Sequence, residues 1–315
     1  MTTPECSANA SADFTRTDDW FESGGVRCAI AVFRPASAGA TGQTPAIVMG
    51  HGFGTPRAVA LYVYAEAFAR AGYIVTVFDY RYFSESEGEP RQLLDIGKQH
   101  EDWRNTLAYT RALDGVDPRC IVGWGTSFAG GHVLSLAGRR EDFAAIIAQV
   151  PHVSGPAAVR ATGLRNCLRV APLAAEDLVR ALLRRPPKYI DSVGRPGDVA
   201  VMTAPGSSEG LDRMLEASGL EHGVYPETVA ARILALIGFY SPTRTAGNVS
   251  CPALFQVMSN DAVTPTNVDL KAAGKVQRAT IHIHEGGHFD PYVEPLFSEI
   301  IEEQLAFLRK EVPVK

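Results

Sequence analysis

The segment Cys120-Ile-Val-Gly-Trp-Gly-Thr-Ser127-Phe-Ala-Gly-Gly-His132 constrains the chain more than any other. Ile121, Val122 and Trp124 read as a buried strand, and the small and apolar residues from Phe128 through Leu136 read as a helix. A serine at such a joint sits in a sharp, strained turn that draws neighbouring backbone close, so the positions two before and two after it must be small. Gly125 and Ala129 meet that demand. The strain would hold the Ser127 hydroxyl above a sheet, while the helix N-terminus offers N–H groups and a positive dipole end to a developing oxyanion. A serine between small residues can be no more than a turn. The strand before it, the helix after it and the partners downstream favour a nucleophile elbow.

The partners follow in order. Serine is a weak nucleophile until a base takes its proton, and an imidazole works best as that base when a carboxylate holds its other nitrogen. In a sheet of this kind the expected chain order is Ser, Asp, His. Asp261 lies in a loop after an apolar strand and ahead of Pro265, and His288 lies in the glycine-rich loop after the last strand, so Ser127, Asp261 and His288 are the candidate triad. Asp290 is a rival acid too near His288 in the chain to reach behind its ring, and Asp79 reads as a loop-bracing carboxylate. An oxyanion hole needs two converging N–H groups, from the residue after the nucleophile and from a glycine-rich turn after an earlier strand. Phe128 and Phe53, the latter in His51-Gly-Phe-Gly54, supply them. His51 itself reads as a brace for that turn.

Alternation fixes the fold class. Apolar strands at 46–50, 73–80, 120–125, 144–150, 251–258 and 279–284 are separated by helices at 58–71, 93–113 and 128–136, with a final helix at 295–310. Two further strands at 20–26 and 28–33 meet across Gly24-Gly25. This pattern is α/β: a mostly parallel central sheet with helices on both faces, the strand ends at 51, 79, 125 and 150 opening on one edge. Between 152 and 247 the rhythm breaks into helices at 174–185, 207–218 and 226–239 and a short hairpin within 188–202. We read a flexible tail at 1–17, a core at 18–151 and 248–315, and an inserted cap at 152–247; the other reading of that insert is an ordinary run of core helices.

Composition narrows the partners. At 315 residues with 46% hydrophobic and 21% charged residues the chain suits a soluble globular protein, and a net charge of -5 without a basic stripe argues against nucleic acid. Cys6, Cys28, Cys120, Cys167 and Cys251 are odd in number and widely spaced, which suggests a reducing compartment. The polar, acid-containing N-terminus lacks a signal-peptide core and no run is long enough to span a bilayer, so no membrane is expected and a cytoplasmic location is the default. Gly123-x-Gly125 lacks the third glycine of a dinucleotide turn because Phe128 stands there. His282, His284 and His288 with Glu285 raise a metal site, but core and surface histidines account for them better; no cofactor and no metal is expected. The sequence leaves oligomeric state open, a homodimer included.

With elbow, oxyanion turn, acid and base in place, the chain resembles the α/β-hydrolases from about residue 19 to 310 outside the cap. The block running from His51-Gly-Phe-Gly through Phe78-Asp-Tyr-Arg, Gly88-Glu-Pro-Arg-Gln92, Glu101-Asp-Trp-Arg104 and Gly125-Thr-Ser-Phe-Ala-Gly-Gly-His132 is similar to a group allied to dienelactone hydrolases and acetylxylan esterases, which includes polyketide transferases and hydrolases. Two residues depart from that pattern: Ser127 replaces the Cys of true dienelactone hydrolases, and Tyr82 stands where the Asp-Tyr-Arg-Gly loop would carry glycine. The resemblance implies a serine hydrolase of a small, moderately hydrophobic carboxylic ester or thioester acting through an acyl-enzyme. The alternatives are acyl transfer or carbon–carbon cleavage on a polyketide-like product with the same triad, and a catalytically silent ligand-binding protein on the same fold.

Overall fold

The computed structural model describes residues 9–10, 13–38 and 43–314. Its first elements are β1 (Asn9–Ala10), β2 (Phe14–Ser23) and β3 (Val26–Pro35), all antiparallel, with Gly24 and Gly25 at φ 58° and 79° between β2 and β3. Both positive angles are what a tight right-twisted hairpin demands and glycine supplies. The boundary expected at 17 for a flexible tail falls inside a strand, and Asn9–Ala10 within it pairs with β2. Residues 14–17 belong to β2, with Phe14 buried opposite Pro35. Polar Thr15, Arg16, Thr17 and Asp18 hide that strand in the sequence, because only one face of it meets the core. Residues 1–8 and 11–12 of that tail lie outside the described residues.

The chain continues through β4 (Thr44–Gly50), α1 (Leu61–Arg70), β5 (Ile74–Phe78), α2 (Ile96–Ala112), β6 (Val116–Thr126), α3 (Phe128–Gly138) and β7 (Ala145–Gln149). Every residue of β4, β5 and β7 is buried, which is why these strands read as continuous apolar runs. Alternate side chains serve two cores. Ala46 and Val48 face Trp103, Leu107 and Phe128 of α2 and α3, whereas Ile47 and Met49 face Tyr64, Phe68 and Phe307 on the opposite side. Each fully buried Ile, Val or Phe contributes about 1.5–3 kcal/mol relative to exposure.

An intervening segment then holds α4 (Gly155–Thr162), α5 (Leu164–Leu182), β8 (Tyr189–Val193), β9 (Ala200–Met202), α6 (Ser207–Ala217), β10 (Thr228–Ala230) and α7 (Ile233–Leu236). The chain closes with β11 (Ala253–Met258), α8 (Thr266–Ala273), β12 (Ala279–His284) and α9 (Leu296–Glu311). The nine-stranded sheet has the order β1-β2-β3-β5-β4-β6-β7-β11-β12, and β4, β5, β6, β7, β11 and β12 are parallel. Gly50 pairs with Gly125, and Gly125 with Ala148, so the loops after β4, β6 and β7 leave at one level.

The segment at 152–247 departs from its expected elements. The helix expected at 226–239 is instead β10, the single turn α7 and a 3-10 turn over Ile237–Phe239. Thr228–Ala230 was drawn into pairing with β8, which outweighs the helix-start signal of Pro226. The expected hairpin at 188–202 is also different: β8 and β9 run parallel, in a separate sheet ordered β10-β8-β9, the chain looping back through Gly197 at φ 101°. The helix expected from 174 begins at Leu164 and carries Pro172 inside it. Gln92 ties this segment to the core, its Nε2 donating to the carbonyls of Pro226 (2.7 Å) and Thr228 (3.0 Å) while its own carbonyl accepts from Ala230 N.

Among the described residues no helix is long and apolar enough to cross a membrane. Cys28, Cys167 and Cys251 are free thiols. Within the segment at 152–247 the main electrostatic joint is Asp177 on α5. Its carboxylate accepts from Lys188 N (2.7 Å), Arg232 N (2.8 Å) and Arg232 Nε (2.7 Å), bridging α5 to the starts of β8 and α7. Burial works to raise the Asp177 pKa, but the Arg232 bonds outweigh it and hold the group below its ordinary value. Removing one partner strands the other's charge, so Asp177→Ala is expected to lower the unfolding free energy by about 2–4 kcal/mol. Urea unfolding checks this; an unchanged midpoint would show that the joint carries no stability.

Candidate active site

Ser127 joins β6 to α3 with φ 52° and ψ -116°, outside the regions open to most residues with a side chain. Its backbone is fixed from both sides: Ser127 N donates to Gln149 O (2.9 Å) and Ser127 O accepts from His152 N (2.8 Å). Close packing makes the surrounding glycines obligatory. A Cβ on Gly125 would lie 2.3 Å from Ala129 O, and one on Gly131 would lie 2.2 Å from His152 O. No backbone atom so placed can retreat without opening the turn.

The structure brings the three expected side chains into line. His288 Nε2 lies 3.0 Å from Ser127 Oγ, and His288 Nδ1 lies 2.7 Å from Asp261 Oδ2. Asp261 is itself held by Val263 N (2.8 Å) and Thr264 N (2.7 Å) on Oδ1 and by Thr264 Oγ1 (2.9 Å) on Oδ2. Burial alone would raise this carboxyl. The His288 ring and those donors outweigh burial and hold it below the usual range, so it is a carboxylate. With an acceptor on Nδ1, the imidazole presents its Nε2 lone pair to the serine hydroxyl.

The rivals have other work. Asp290 accepts from Gly287 N (2.7 Å) and Arg213 Nη2 (2.8 Å), and Asp79 from Arg57 N (2.7 Å) and Nη1 (2.6 Å). His51 is buried, its Nδ1 3.0 Å from Gly52 O, and burial lowers its pKa, leaving a neutral ring inside the turn. Among the described residues neither the Phe53 nor the Phe128 amide has a protein partner. Gly52 lets the first of these turns approach: a Cβ there would stand 3.3 Å from Ser127 Cβ. Tyr82, the departure in the Asp-Tyr-Arg loop, has φ 76°, the backbone that glycine would adopt freely, so the loop keeps a glycine shape under a tyrosine; Lys98 Nζ donates to its hydroxyl (2.7 Å).

A cavity of about 360 Å³ opens beside Ser127 and Phe128, walled by Val170, Ala174, Leu178, Val201 and Leu234. Its lining is overwhelmingly apolar, and none of the described residues that form it is acidic. A smaller polar recess of about 120 Å³ lies against His288, between Arg213, Asn260 and Asp290. Sequence reasoning missed one cavity residue. His152 is buried and stacks on Tyr240 at 5.9 Å and 7°, and its Nε2 has no partner. Burial pushes its pKa down to about 4, so it is a neutral ring offering one polar atom in an apolar wall. Its only sequence signal is its place just past β7, on the edge where the other site loops emerge.

A serine on a β6–α3 elbow, at the ends of a parallel sheet with helices on both faces, is the architecture of an α/β-hydrolase. The X-Pro dipeptidyl-peptidase (S15) family matches residues 24–290, and the chain belongs to that family. It is 39% identical over 299 residues to the quorum-quenching protein AidA of Acinetobacter baumannii (strain MDR-ZJ06), which spans 95% of this chain and 96% of the relative. It is 26% identical over 282 residues to the polyketide transferase grgF of a Penicillium species, covering 87% of this chain and 90% of the relative. A solved structure of a hypothetical protein from Pseudomonas aeruginosa shares the fold, with TM-score 0.81 at 18% identity over 99% of both chains.

Behind the triad lies a second buried carboxyl. Asp269 on α8 has no hydrogen-bond partner on either oxygen, and burial, with the nearby Asp261 charge, raises its pKa well above the ordinary value. A raised native value means that folding retains a proton the unfolded chain loses, so this group's contribution fades as pH climbs from about 4 toward the raised value. Asp269→Asn removes that dependence. The variant is expected to gain stability relative to wild type as pH rises from about 4 to about 8, measured by urea unfolding at several pH values. A difference that does not change with pH would mean that Asp269 ionises as freely folded as unfolded.

Proposed function

We propose that this protein is a serine hydrolase of carboxylic esters or thioesters, working without a cofactor through an acyl-enzyme. The observation that carries the reading is the unbroken line from Ser127 Oγ through His288 to Asp261. In this scheme Ser127 Oγ attacks the acyl carbon while His288 Nε2 takes its proton, and the amides of Phe53 and Phe128 hold the oxyanion. His288 then passes the proton to the departing alcohol or thiol. A water molecule, deprotonated by the same ring, releases the acid and restores the serine. Asp261 keeps the imidazole in the required tautomer throughout.

The apolar cavity supports a moderately hydrophobic acyl group, and a volume of about 360 Å³ suits a small molecule. We read the segment at 152–247 as a cap, since it contributes most of the cavity wall, α4 and α5 foremost. A dipeptidyl substrate fits poorly: its free α-amine is a cation, and the cavity has no carboxylate to receive it. The quorum-quenching relative supports a small signalling molecule as substrate. Acyl transfer or carbon–carbon cleavage on a polyketide-like product is the second reading. It is favoured by the polyketide-transferase relative and by an apolar cavity lining that another acceptor would wet no less readily than water.

Treatment with a fluorophosphonate should add one adduct to the wild type and none to Ser127→Ala, read by intact-protein mass. Turnover of short and medium p-nitrophenyl esters should fall by roughly 10³-fold or more in the variant. Asp261→Asn should keep the fold and lose about 10³–10⁴-fold in kcat, since the tautomer is no longer enforced. A folded wild type that neither labels nor turns over any ester would overturn the hydrolase reading and leave a ligand-binding protein. Products formed in the presence of an added alcohol or amine distinguish hydrolysis from transfer.

A further inference from the structure

Beyond the Ser127 site, β12 and α9 gather a second cluster at the far edge of the sheet. Alternation along β12 turns His282 and His284 to the face on which α9 packs. His282 Nδ1 lies 2.7 Å from Glu303 Oε1, and His284 Nε2 lies 2.9 Å from Glu303 Oε2. Two imidazole nitrogens thus converge on one carboxylate. The two other groups suggested by the sequence are elsewhere: His288 is committed to Asp261, and Glu285 is exposed.

We propose that His282, His284 and Glu303 bind a divalent transition-metal ion, zinc being the best match, as a clamp between the edge strand and the last helix. Two imidazoles and a carboxylate are a borderline-soft donor set that suits Zn²⁺ and leaves a fourth position for water, whereas Ca²⁺ and Mg²⁺ require more oxygens. The three ligand atoms lie within 4.8 Å of one another. Around a tetrahedral ion with bonds of about 2.0–2.1 Å they would be about 3.4 Å apart. His282, half-exposed on the rim, can supply that contraction by rotation. To ligate as neutral imidazoles, the rings must carry their protons on the nitrogens facing away from the ion, Nε2 of His282 and Nδ1 of His284.

The outer groups are also those of a metal site. Glu299 Oε1 lies 3.3 Å from His284 Nδ1, the nitrogen that would face away from the ion, and Gln256 Nε2 donates to Glu303 Oε2 at 2.8 Å. The clamp would act on the loops that carry the triad. His284 O accepts from Ser259 N (2.8 Å), and Gly286 O accepts from Asn260 N (2.9 Å), between the strand end and Asp261 and His288.

The full chain, freed of metal with a chelator, should be titrated with zinc chloride by calorimetry and melted with and without it. One ion per chain is expected, and at about 100-fold excess over Kd the Tm should rise by roughly 3–8 °C. His282→Ala, on a half-exposed rim and folded by circular dichroism, should abolish the shift, and Glu299→Gln should weaken binding about 10-fold. Mg²⁺ and Ca²⁺ should do nothing. His222→Ala, which removes the other histidine–carboxylate cluster, with Asp212 and Glu227, should bind as wild type does. Absence of saturable zinc binding, or binding that survives in His282→Ala, would overturn the proposal. Neither result depends on esterase activity, so the hydrolase reading stands or falls separately.

Discussion

The structure depends on holding Ser127 in a backbone conformation it would not choose. A residue with a side chain at φ 52° and ψ -116° costs on the order of 1–3 kcal/mol, and it persists only if its surroundings over-determine it. Here the neighbouring strand does so. Thr126 pairs with Gln149 at the end of the β6–β7 ladder, which places Gln149 O to receive Ser127 N and His152 N to reach Ser127 O. A slip of the register by one residue would remove both bonds and reverse every side chain in β6. The ladder that builds the core therefore also aims the Ser127 hydroxyl, and the glycines at 125 and 131 are the space in which that aim is possible.

Electrostatics around the triad follows from which buried carboxyl is given donors. Asp261 and Asp269 are both buried, and burial pushes both toward the neutral acid. Asp261 receives two backbone amides, a hydroxyl and an imidazole, which win; Asp269 has no donor within hydrogen-bond distance among the described residues, and the nearby Thr264 hydroxyl offsets burial only in part. Two adjacent buried carboxylates could not both stay charged, so the neutrality of Asp269 lets Asp261 carry the negative charge beside His288. His152 belongs to the same economy of charge. Kept neutral by burial, it places a polar atom in the cavity without adding a charge.

The sequence was most legible where one force dominated. β4, β5, β7 and β11 are buried throughout and appear as apolar runs, and the elbow appears as small residues around Ser127 because close packing allows nothing larger. The convergence of Ser127, Asp261 and His288 could be anticipated because each follows a strand end. Elements whose state is set by a distant partner stayed hidden. Thr228–Ala230 is a strand only because β8 lies beside it, and β2 is polar on the face that water sees. In α5, Pro172 and the exposed Leu164, Leu168 and Leu182 mask the stripe that packs inward. His152 carries no motif, and Glu303 meets His282 across a gap in the chain that no local pattern spans.

The last helix is the element through which these parts communicate. Gln304 on α9 accepts from Trp124 Nε1 (2.9 Å) on β6 and donates to Gln149 Oε1 (2.9 Å) on β7 and Gln256 Oε1 (2.7 Å) on β11. Such a buried polar network specifies one alignment of strands because every alternative leaves an amide unpaired. Gln149 is also the residue whose carbonyl fixes Ser127, and Gln256 also donates to Glu303. One turn of α9, residues 303 and 304, therefore holds the underside of the elbow and the histidine cluster of the edge strand together. A displacement of α9 cannot disturb β12 alone: it breaks bonds that reach β6 and β7, and so the edge of the sheet is coupled to the serine at its centre.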